Sequence, residues 1–164
     1  MLSNLKQQLG HDVHPLVQFI KYGIIGGVAT AIHIVGFYLS GYLFFPCFKP
    51  DDIVFATLNL SVDAIPEATR AFNAGVCNAI AFVIANVVCY ILNRQFVFKP
   101  GRHHWVVEFL LFFSVSALCI AIATAVQTAL IVKWGMQTTF AFLINITISL
   151  AINFVMRKFV VFKG

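Results

Sequence analysis

Residues 86–99, with the sequence NVVCYILNRQFVFK, decide how the rest of the chain is interpreted. In this segment an apolar run that contains two asparagines ends abruptly at Arg94 and Lys99. Residues 145–163 follow the same plan and end in RKFVVFK. Both segments are typical of a membrane-embedded helix that leaves the bilayer at a basic, aromatic-rich boundary.

The composition supports a membrane location for the whole chain. Of its 164 residues, 60% are hydrophobic and 10% are charged, whereas about a quarter of the residues in a soluble domain are charged. If these apolar helices formed a soluble bundle, they would have no polar faces to present to water. The apolar stretches exceed the roughly 20 residues that a helix needs to cross about 30 Å of hydrocarbon. We therefore predict an all-α membrane protein with four transmembrane helices, at about residues 21–45, 71–93, 107–132 and 136–157.

The segments outside these spans differ in character. Residues 1–18 are polar and are predicted to form a cytoplasmic lead-in, since the following apolar block is too long for the apolar core of a cleaved signal peptide. Residues 46–70 contain three prolines and four of the six acidic residues, and we predict an external loop there. Within it, residues 55–62 (FATLNLSV) suggest either a short strand or a surface loop. The four cysteines have no metal-ligand spacing, and Cys47 is expected near the surface.

Small residues in the first span predict close helix packing. Gly23 and Gly27 form a G-x-x-x-G pattern with Gly26 beside them, which lets another helix approach closely. His33 lies on the same side of the predicted helix. Ionisable residues in spans usually face an interior, so His33 has either a functional role or a hydrogen bond to a neighbouring helix.

Polar residues also recur inside the other apolar spans. Amides there are expected to face protein or a water-filled cavity rather than lipid tails. One interpretation is a polar path through the bundle, and the other is a set of structural hydrogen bonds of about 1 kcal/mol each. The predicted polar path consists of His33, Asn78, Asn86, Asn145 and Asn153.

The basic residues predict an orientation. If both termini are cytoplasmic, eight Lys and Arg residues lie inside, and three, Lys49, Arg70 and Lys133, lie outside. This bias follows the positive-inside rule and puts both basic helix ends at one leaflet. A shift of 64 residues aligns the two basic ends, so the chain is predicted to be two helix-pair repeats of the same topology.

Three segments resemble a known family. FIKYGIIGGVAT at the first span, ILNRQFVFK after the second and INFVMRKFVVFK at the end are similar to the GtrA-like family. The resemblance covers about residues 17–163, apart from 46–70, so 19–163 would be a GtrA-like transmembrane domain. Arg157 and Lys158 stand where the family pattern usually reads Asn-Arg. The resemblance implies a small bacterial inner-membrane protein that carries polyprenyl-phosphate-linked sugars, such as undecaprenyl-phosphate sugars, for glycosylation of O-antigen, teichoic acid or arabinan.

The residues at the basic ends suit such a lipid. Arg binds phosphate in a bidentate manner and Lys supplies a point charge. The alternative is that each basic residue marks topology and attracts anionic lipid nonspecifically, by about 1 kcal/mol. The predicted lipid-phosphate residues are Lys21, Asn93, Arg94, Lys99, Arg157 and Lys158.

Two further functions stay open beside lipid transport. A non-transporting partner of a glycosyltransferase would have the same sequence features. A small multidrug exporter is disfavoured because the apolar stretches 22–48, 71–93, 109–132 and 134–156 lack Asp and Glu. An enzyme is not expected, since no nucleophile–base pair or metal cluster is apparent. We expect a homodimer without cofactor, metal or nucleic acid, with membrane lipids and a glycosyltransferase as partners.

Overall fold

The computed structural model describes residues 15–97 and 104–156, and the regular structure in them is entirely helical. The predicted all-α membrane class is confirmed. Four long helices form the body of the protein, and the short helix α2 lies between the first two of them. The helices are α1 (Pro15–Leu43), α2 (Ile53–Thr57), α3 (Glu67–Phe96), α4 (Trp105–Trp134) and α5 (Thr138–Met156).

The lengths of the helices match a bilayer. Ile20–Leu43 of α1, the whole of α3 and the whole of α4 are long and apolar enough to cross a membrane. The 19 residues of α5 extend over roughly 28 Å at 1.5 Å per residue. That length is close to the roughly 30 Å thickness of the hydrocarbon layer. The apolar segment Thr138–Ile152 within α5 is shorter than the other three.

Successive long helices run antiparallel. Lys21 near the start of α1 contacts Phe96 at the end of α3, and Pro46 after α1 contacts Asn73 near the start of α3. The helix α4 packs against both α3 and α5. We call the end of the bundle with Lys21 and Arg94 the basic end, and the end with residues 44–66 the loop end. Each half of the chain is therefore one helix that runs to the loop end and one that returns, which is the predicted shared topology.

The loop at the loop end packs onto the helices. Cys47, Phe48 and Phe55 are buried and join a core that includes Phe37 and Phe142. The rings of Phe37 and Phe142 stack with their centroids 3.7 Å apart. The expectation of Cys47 near the surface was wrong, because the chain after α1 turns back onto the bundle and encloses this side chain.

The suggestion of a strand within residues 55–62 was also wrong. Residues 53–57 form α2, whose N-terminal N–H groups are capped by the side chain of Asp52. Asn59 has a φ of 54°, a left-handed conformation that Asn adopts more readily than most residues, and the helix has ended before it. Residues 58–66 contain no regular structure.

Two glycines of α1, at other positions than those predicted, allow close packing against α3 and against the loop. A Cβ on Gly36 would lie 3.3 Å from the Cβ of Ala81 on α3, and one on Gly41 would lie 2.6 Å from the ring of Phe48. For Gly23, Gly26 and Gly27, an added Cβ would meet no atom of the described residues within 4 Å. The described residues therefore do not show the packing predicted at these three glycines, and packing against the rest of the chain or a second chain stays a prediction.

Candidate functional site

Arg94 connects α3 to α4 at the basic end. Its Nη1 donates to the hydroxyl of Tyr90 at 3.0 Å and to Oε2 of Glu108 at 3.1 Å. Tyr90 in turn donates to the carbonyl oxygen of Trp105 at 2.9 Å. The Arg94 side chain keeps 35% of its surface exposed, so the guanidinium is oriented by its neighbours without being enclosed by them.

A groove of about 480 Å³ lies beside Arg94. Its walls are mostly apolar and aromatic, and Trp105 and Ile91 are each about half exposed, at 54% and 52%. The groove is lined by Val87, Tyr90, Ile91, Arg94, Trp105 and Phe109. A single cation in an otherwise apolar, exposed groove suits a ligand that has an anionic head and an apolar chain.

Lys21 has a different set of contacts. Its Nζ donates to the carbonyl oxygen of Phe96 at 3.3 Å, and Gln18 donates to the carbonyl oxygen of Val97 at 2.9 Å. Carbonyl groups at the end of a helix lack partners within the helix. The α1 side chains therefore satisfy the last carbonyls of α3, and the positive charge of Lys21 lies favourably near the negative end of the α3 dipole.

Asn93 and Arg94 point to different parts of the bundle, although they are adjacent in sequence. Asn93 is only 3% exposed, and its Nδ2 donates to the carbonyl oxygen of Cys89 at 2.9 Å. Arg94 lines the surface groove. Consecutive helical residues are about 100° apart, which separates the two side chains.

Three of the predicted phosphate residues lie outside the described residues. They are Lys99, Arg157 and Lys158. The helices that precede them in the chain, α3 and α5, both end at the basic end.

A polar cluster in the bundle interior joins all four long helices. His33 on α1 hydrogen-bonds through Nε2 to Oδ1 of Asn78 on α3, at 3.1 Å. Nδ2 of Asn78 donates to Oε1 of Gln127 on α4 at 2.6 Å, and Nδ2 of Asn145 on α5 donates to the same oxygen at 2.9 Å. Both amides also donate to the hydroxyl of Thr124, at 3.1 and 3.3 Å. Three predicted path residues, His33, Asn78 and Asn145, thus meet.

The remaining path residues are not in this cluster. Asn86 is buried on α3, and its Nδ2 has no hydrogen-bond partner among the described residues. Asn153 belongs to α5, but its side chain lies outside the described residues. Gln127 and Thr124 were not among the predicted site residues. The amide of Gln127 within the apolar third span is the signal that could have identified it.

The loop end contains a second charged cluster, which sequence analysis interpreted only as external charge. Arg70 is 1% exposed, and its guanidinium binds the Glu67 carboxylate, the carbonyl oxygen of Met136 and the hydroxyl of Thr138. Lys49 lies 3.3 Å from the carboxylate of Glu67. These contacts tie the start of α3 to the α4–α5 turn, and they use four of the five N–H groups of the guanidinium.

Asp52 holds the loop to α5 in a similar way. Its carboxylate is fully buried and accepts hydrogen bonds from the backbone N–H and the hydroxyl of Thr139. The hydroxyl of Tyr38 on α1 lies 2.9 Å from that of Thr139. Four charged residues at the loop end therefore have structural partners within the chain: Lys49, Asp52, Glu67 and Arg70.

The fold and the groove together define a small helical membrane protein with a mostly apolar groove beside a partly exposed arginine. Among residues 15–97 and 104–156, no group of three or more His, Cys, Asp or Glu side chains is placed to hold a metal ion. The chain matches the family model for the GtrA/DPMS transmembrane domain over residues 52–162, more than half of its length, and it belongs to that family. Comparisons with curated proteins and with solved structures found no match.

The family match includes the groove but not α1. It begins within the loop and continues through α3, α4 and α5, so it contains Arg94 and the amides Asn78, Gln127 and Asn145. Membership of this family suggests a role with polyprenyl-phosphate-linked sugars.

Proposed function

We propose that the protein binds a polyprenyl-phosphate-linked monosaccharide and moves it across the bilayer for glycosylation of cell-surface polysaccharide. The lipid is an undecaprenyl phosphate or a related polyprenyl phosphate, and the membrane is the bacterial inner membrane. The protein acts without catalysis of its own and without a cofactor. The groove at Arg94 is the observation that carries this proposal.

The groove offers both kinds of contact that such a lipid needs. The guanidinium of Arg94 binds the phosphate, and the apolar walls formed by Ile91 and Phe109 contact the first part of the prenyl chain. Tyr90 and Glu108 hold Arg94 at the groove. Trp105 suits the interfacial region of the membrane, where the phosphate of a membrane lipid lies. Lys99, Arg157 and Lys158 add positive charge near the ends of α3 and α5.

The polar cluster is the proposed crossing point for the sugar. His33, Asn78, Gln127 and Asn145 contribute hydrogen-bonding groups from four helices at one place in the interior. A hydroxyl-rich sugar exchanges hydrogen bonds with such groups, whereas a purely apolar interior offers it none. Passage requires α1 or α5 to separate from the cluster, since these amides bond to one another in the closed bundle.

The orientation and assembly are part of the proposal. The basic end faces the cytoplasm, because it has the larger number of Lys and Arg residues. Two copies pack through the α1 surface that contains Gly23 and Gly27, where no described residue comes within 4 Å of an added Cβ. A glycosyltransferase on the outer side consumes the lipid-linked sugar and thereby drives net movement.

Binding is tested with Arg94→Ala protein in nanodiscs and a radiolabelled polyprenyl phosphate. A charge-assisted hydrogen bond contributes about 1.5–3 kcal/mol, and we therefore expect the dissociation constant to rise about 10-fold or more. Arg94→Lys should fall between Arg94→Ala and the wild type, because it keeps the charge and loses the planar fork. Lys133→Ala is the matched control, since it removes an exposed positive charge at the loop end. Wild-type affinity in a folded Arg94→Ala protein would remove the groove from the proposal.

Transport is distinguished from a scaffold role by reconstitution. The purified protein, in liposomes with a fluorescent polyprenyl-phosphate sugar in both leaflets, should accelerate exchange between leaflets as measured by quenching from outside. Asn145→Leu should slow this exchange while it leaves binding at the groove unchanged. Binding without accelerated exchange would instead favour a non-transporting partner of a glycosyltransferase.

A further inference from the structure

The chain that follows α1 runs back along one face of α3. Nδ2 of Asn73 donates to the carbonyl oxygen of Pro46 at 2.7 Å, and the thiol of Cys77, one turn further along α3, contacts the carbonyl oxygen of Phe45 at 3.7 Å. These two contacts hold the carbonyl groups of the two residues that directly precede Cys47. They therefore fix the position of Cys47 against α3.

The side chains of Cys47 and Cys77 meet in this arrangement. Both residues are fully buried in the same core and both thiols are free, and the Cys77 thiol raises the pKa of Cys47 more than any other neighbour does. The Cys47 sulfur also packs closely against α1, since a Cβ on Gly41 would lie 2.7 Å from it. The Cys47 sulfur is thus held between α1 and α3, beside its partner.

We infer that Cys47 and Cys77 form an intramolecular disulfide that fastens the loop of residues 44–66 to α3. The other two cysteines have different surroundings. The sulfur of Cys89 accepts a hydrogen bond from Asn93 at 3.3 Å, near the basic end, and Cys119 lies on α4. The pairing thus involves the two cysteines at the loop end.

The chemistry requires an oxidising compartment. Two thiols lose two protons and two electrons as the S–S bond forms, and a protein disulfide catalyst accepts the electrons when its own disulfide is reduced to a dithiol. Such catalysts act on the outer side of the bacterial inner membrane. The inference thus depends on the proposed orientation, in which the loop end faces outward.

The order of events also follows from the structure. Both thiols are fully buried in the packed bundle, where a disulfide catalyst cannot reach them. The bond therefore forms while the loop is still accessible, before it closes over α3.

The test is thiol mapping of the full chain, expressed with its membrane orientation intact. Cells are denatured directly in excess N-ethylmaleimide without reductant, and the purified protein is digested and analysed by mass spectrometry. We expect a peptide pair linked through Cys47 and Cys77, and complete alkylation of Cys89 and Cys119. Cys47→Ser should make Cys77 alkylatable, and Cys77→Ser should make Cys47 alkylatable. Alkylation of both residues in the wild type, or a link from either to a second chain, would overturn the inference.

Failure of this inference is distinguishable from failure of the proposed function. The double variant Cys47→Ser/Cys77→Ser leaves the groove residues unchanged, and its affinity for polyprenyl phosphate is measured in the same nanodisc assay. Free thiols together with intact lipid binding would reject the disulfide and retain the binding site. A Cys47–Cys77 link together with absent lipid binding would retain the disulfide and reject the binding site.

Discussion

Arg94 and Arg70 lie at opposite ends of α3, and both pair with a glutamate. Arg70 is 1% exposed and binds Glu67, a backbone carbonyl and a hydroxyl. Arg94 pairs with Glu108 but is 35% exposed and lines a groove. An arginine–glutamate pair thus lies at each end of α3, and the two pairs have different environments.

This difference separates a structural arginine from a binding arginine. The donors of a buried arginine must be matched by partners in the chain, because an unpaired buried charge is very costly. Arg70 meets this requirement and has little capacity for a ligand. Arg94 is oriented by Tyr90 and Glu108 and remains accessible from the groove. Among the described residues, the loop end is therefore the closed, structural end of the bundle, and the basic end, where Arg94 is partly exposed, is the open end.

The largest expected effect is a loss of stability when Arg70 at the closed end is replaced. Arg70→Ala removes a donor from the Glu67 carboxylate, the Met136 carbonyl and the Thr138 hydroxyl and leaves a cavity, and we expect the free energy of unfolding to fall by about 2–4 kcal/mol. The measurement is denaturant-induced unfolding in mixed micelles, followed by circular dichroism.

The control for this prediction is again Lys133→Ala, which removes an exposed charge and should change the free energy of unfolding by less than about 0.5 kcal/mol. Arg70→Lys keeps the charge and should be intermediate. Equal stability of the Arg70→Ala and Lys133→Ala proteins would contradict the structural role assigned to the closed end.

A smaller loss of stability is expected for alanine at Gly41 of α1, and none for alanine at Gly27. In Gly41→Ala, the new Cβ lies 2.6 Å from the ring of Phe48, which is itself stacked on Tyr38. Overpacking of this kind costs about 1–3 kcal/mol. In Gly27→Ala, the new Cβ meets no described atom within 4 Å. Alanine also favours a helix by about 0.5–1 kcal/mol over glycine, so this variant should be as stable as the wild type or slightly more stable.

Unfolding measurements in monomer-forming micelles compare the two variants directly. A loss of stability in Gly27→Ala as large as that in Gly41→Ala would show that the basic-end half of α1 is packed within the chain. It would also remove the basis for assigning that surface to a second copy.

The sequence was sufficient for the parts of the fold that depend on a periodic or compositional signal. Uninterrupted apolar stretches predicted the helices, and the positive residues at two helix ends predicted the basic end. Arg70 was not identifiable in this way, because its burial depends on Met136 and Thr138, which are more than 60 residues away. The same holds for Cys47, whose burial follows from a loop that turns back onto α3.

The candidate site was predictable in part for the same reason. Arg94 stood out as a charge at the end of an apolar run, and Asn78 and Asn145 stood out as amides within such runs. Their shared partner, Gln127, is identified by the packing of α4 between α3 and α5. Glu108 was visible in the sequence, but its pairing with Arg94 depends on the antiparallel arrangement of α3 and α4.

The smallest expected effect is a gain of affinity at the open end. The Glu108 carboxylate lies 3.1 Å from Nη1 of Arg94, where it competes with a phosphate and repels it. Glu108→Gln removes the negative charge and keeps an oxygen that accepts a hydrogen bond. A partly exposed ion pair contributes about 0–1 kcal/mol, so polyprenyl phosphate should bind about two- to five-fold more tightly. The gain should shrink at high salt, which screens exposed charges.

The matched variant at the closed end is Glu67→Gln. It removes the same charge from a pair that holds the bundle together, so it should lower the stability and leave lipid affinity unchanged. Opposite outcomes of one chemical change at the two ends of α3 would distinguish a ligand-binding arginine from a structural one. Tighter binding in both variants would indicate that the lipid senses only the net charge of the protein, and Arg94 would then have no special role.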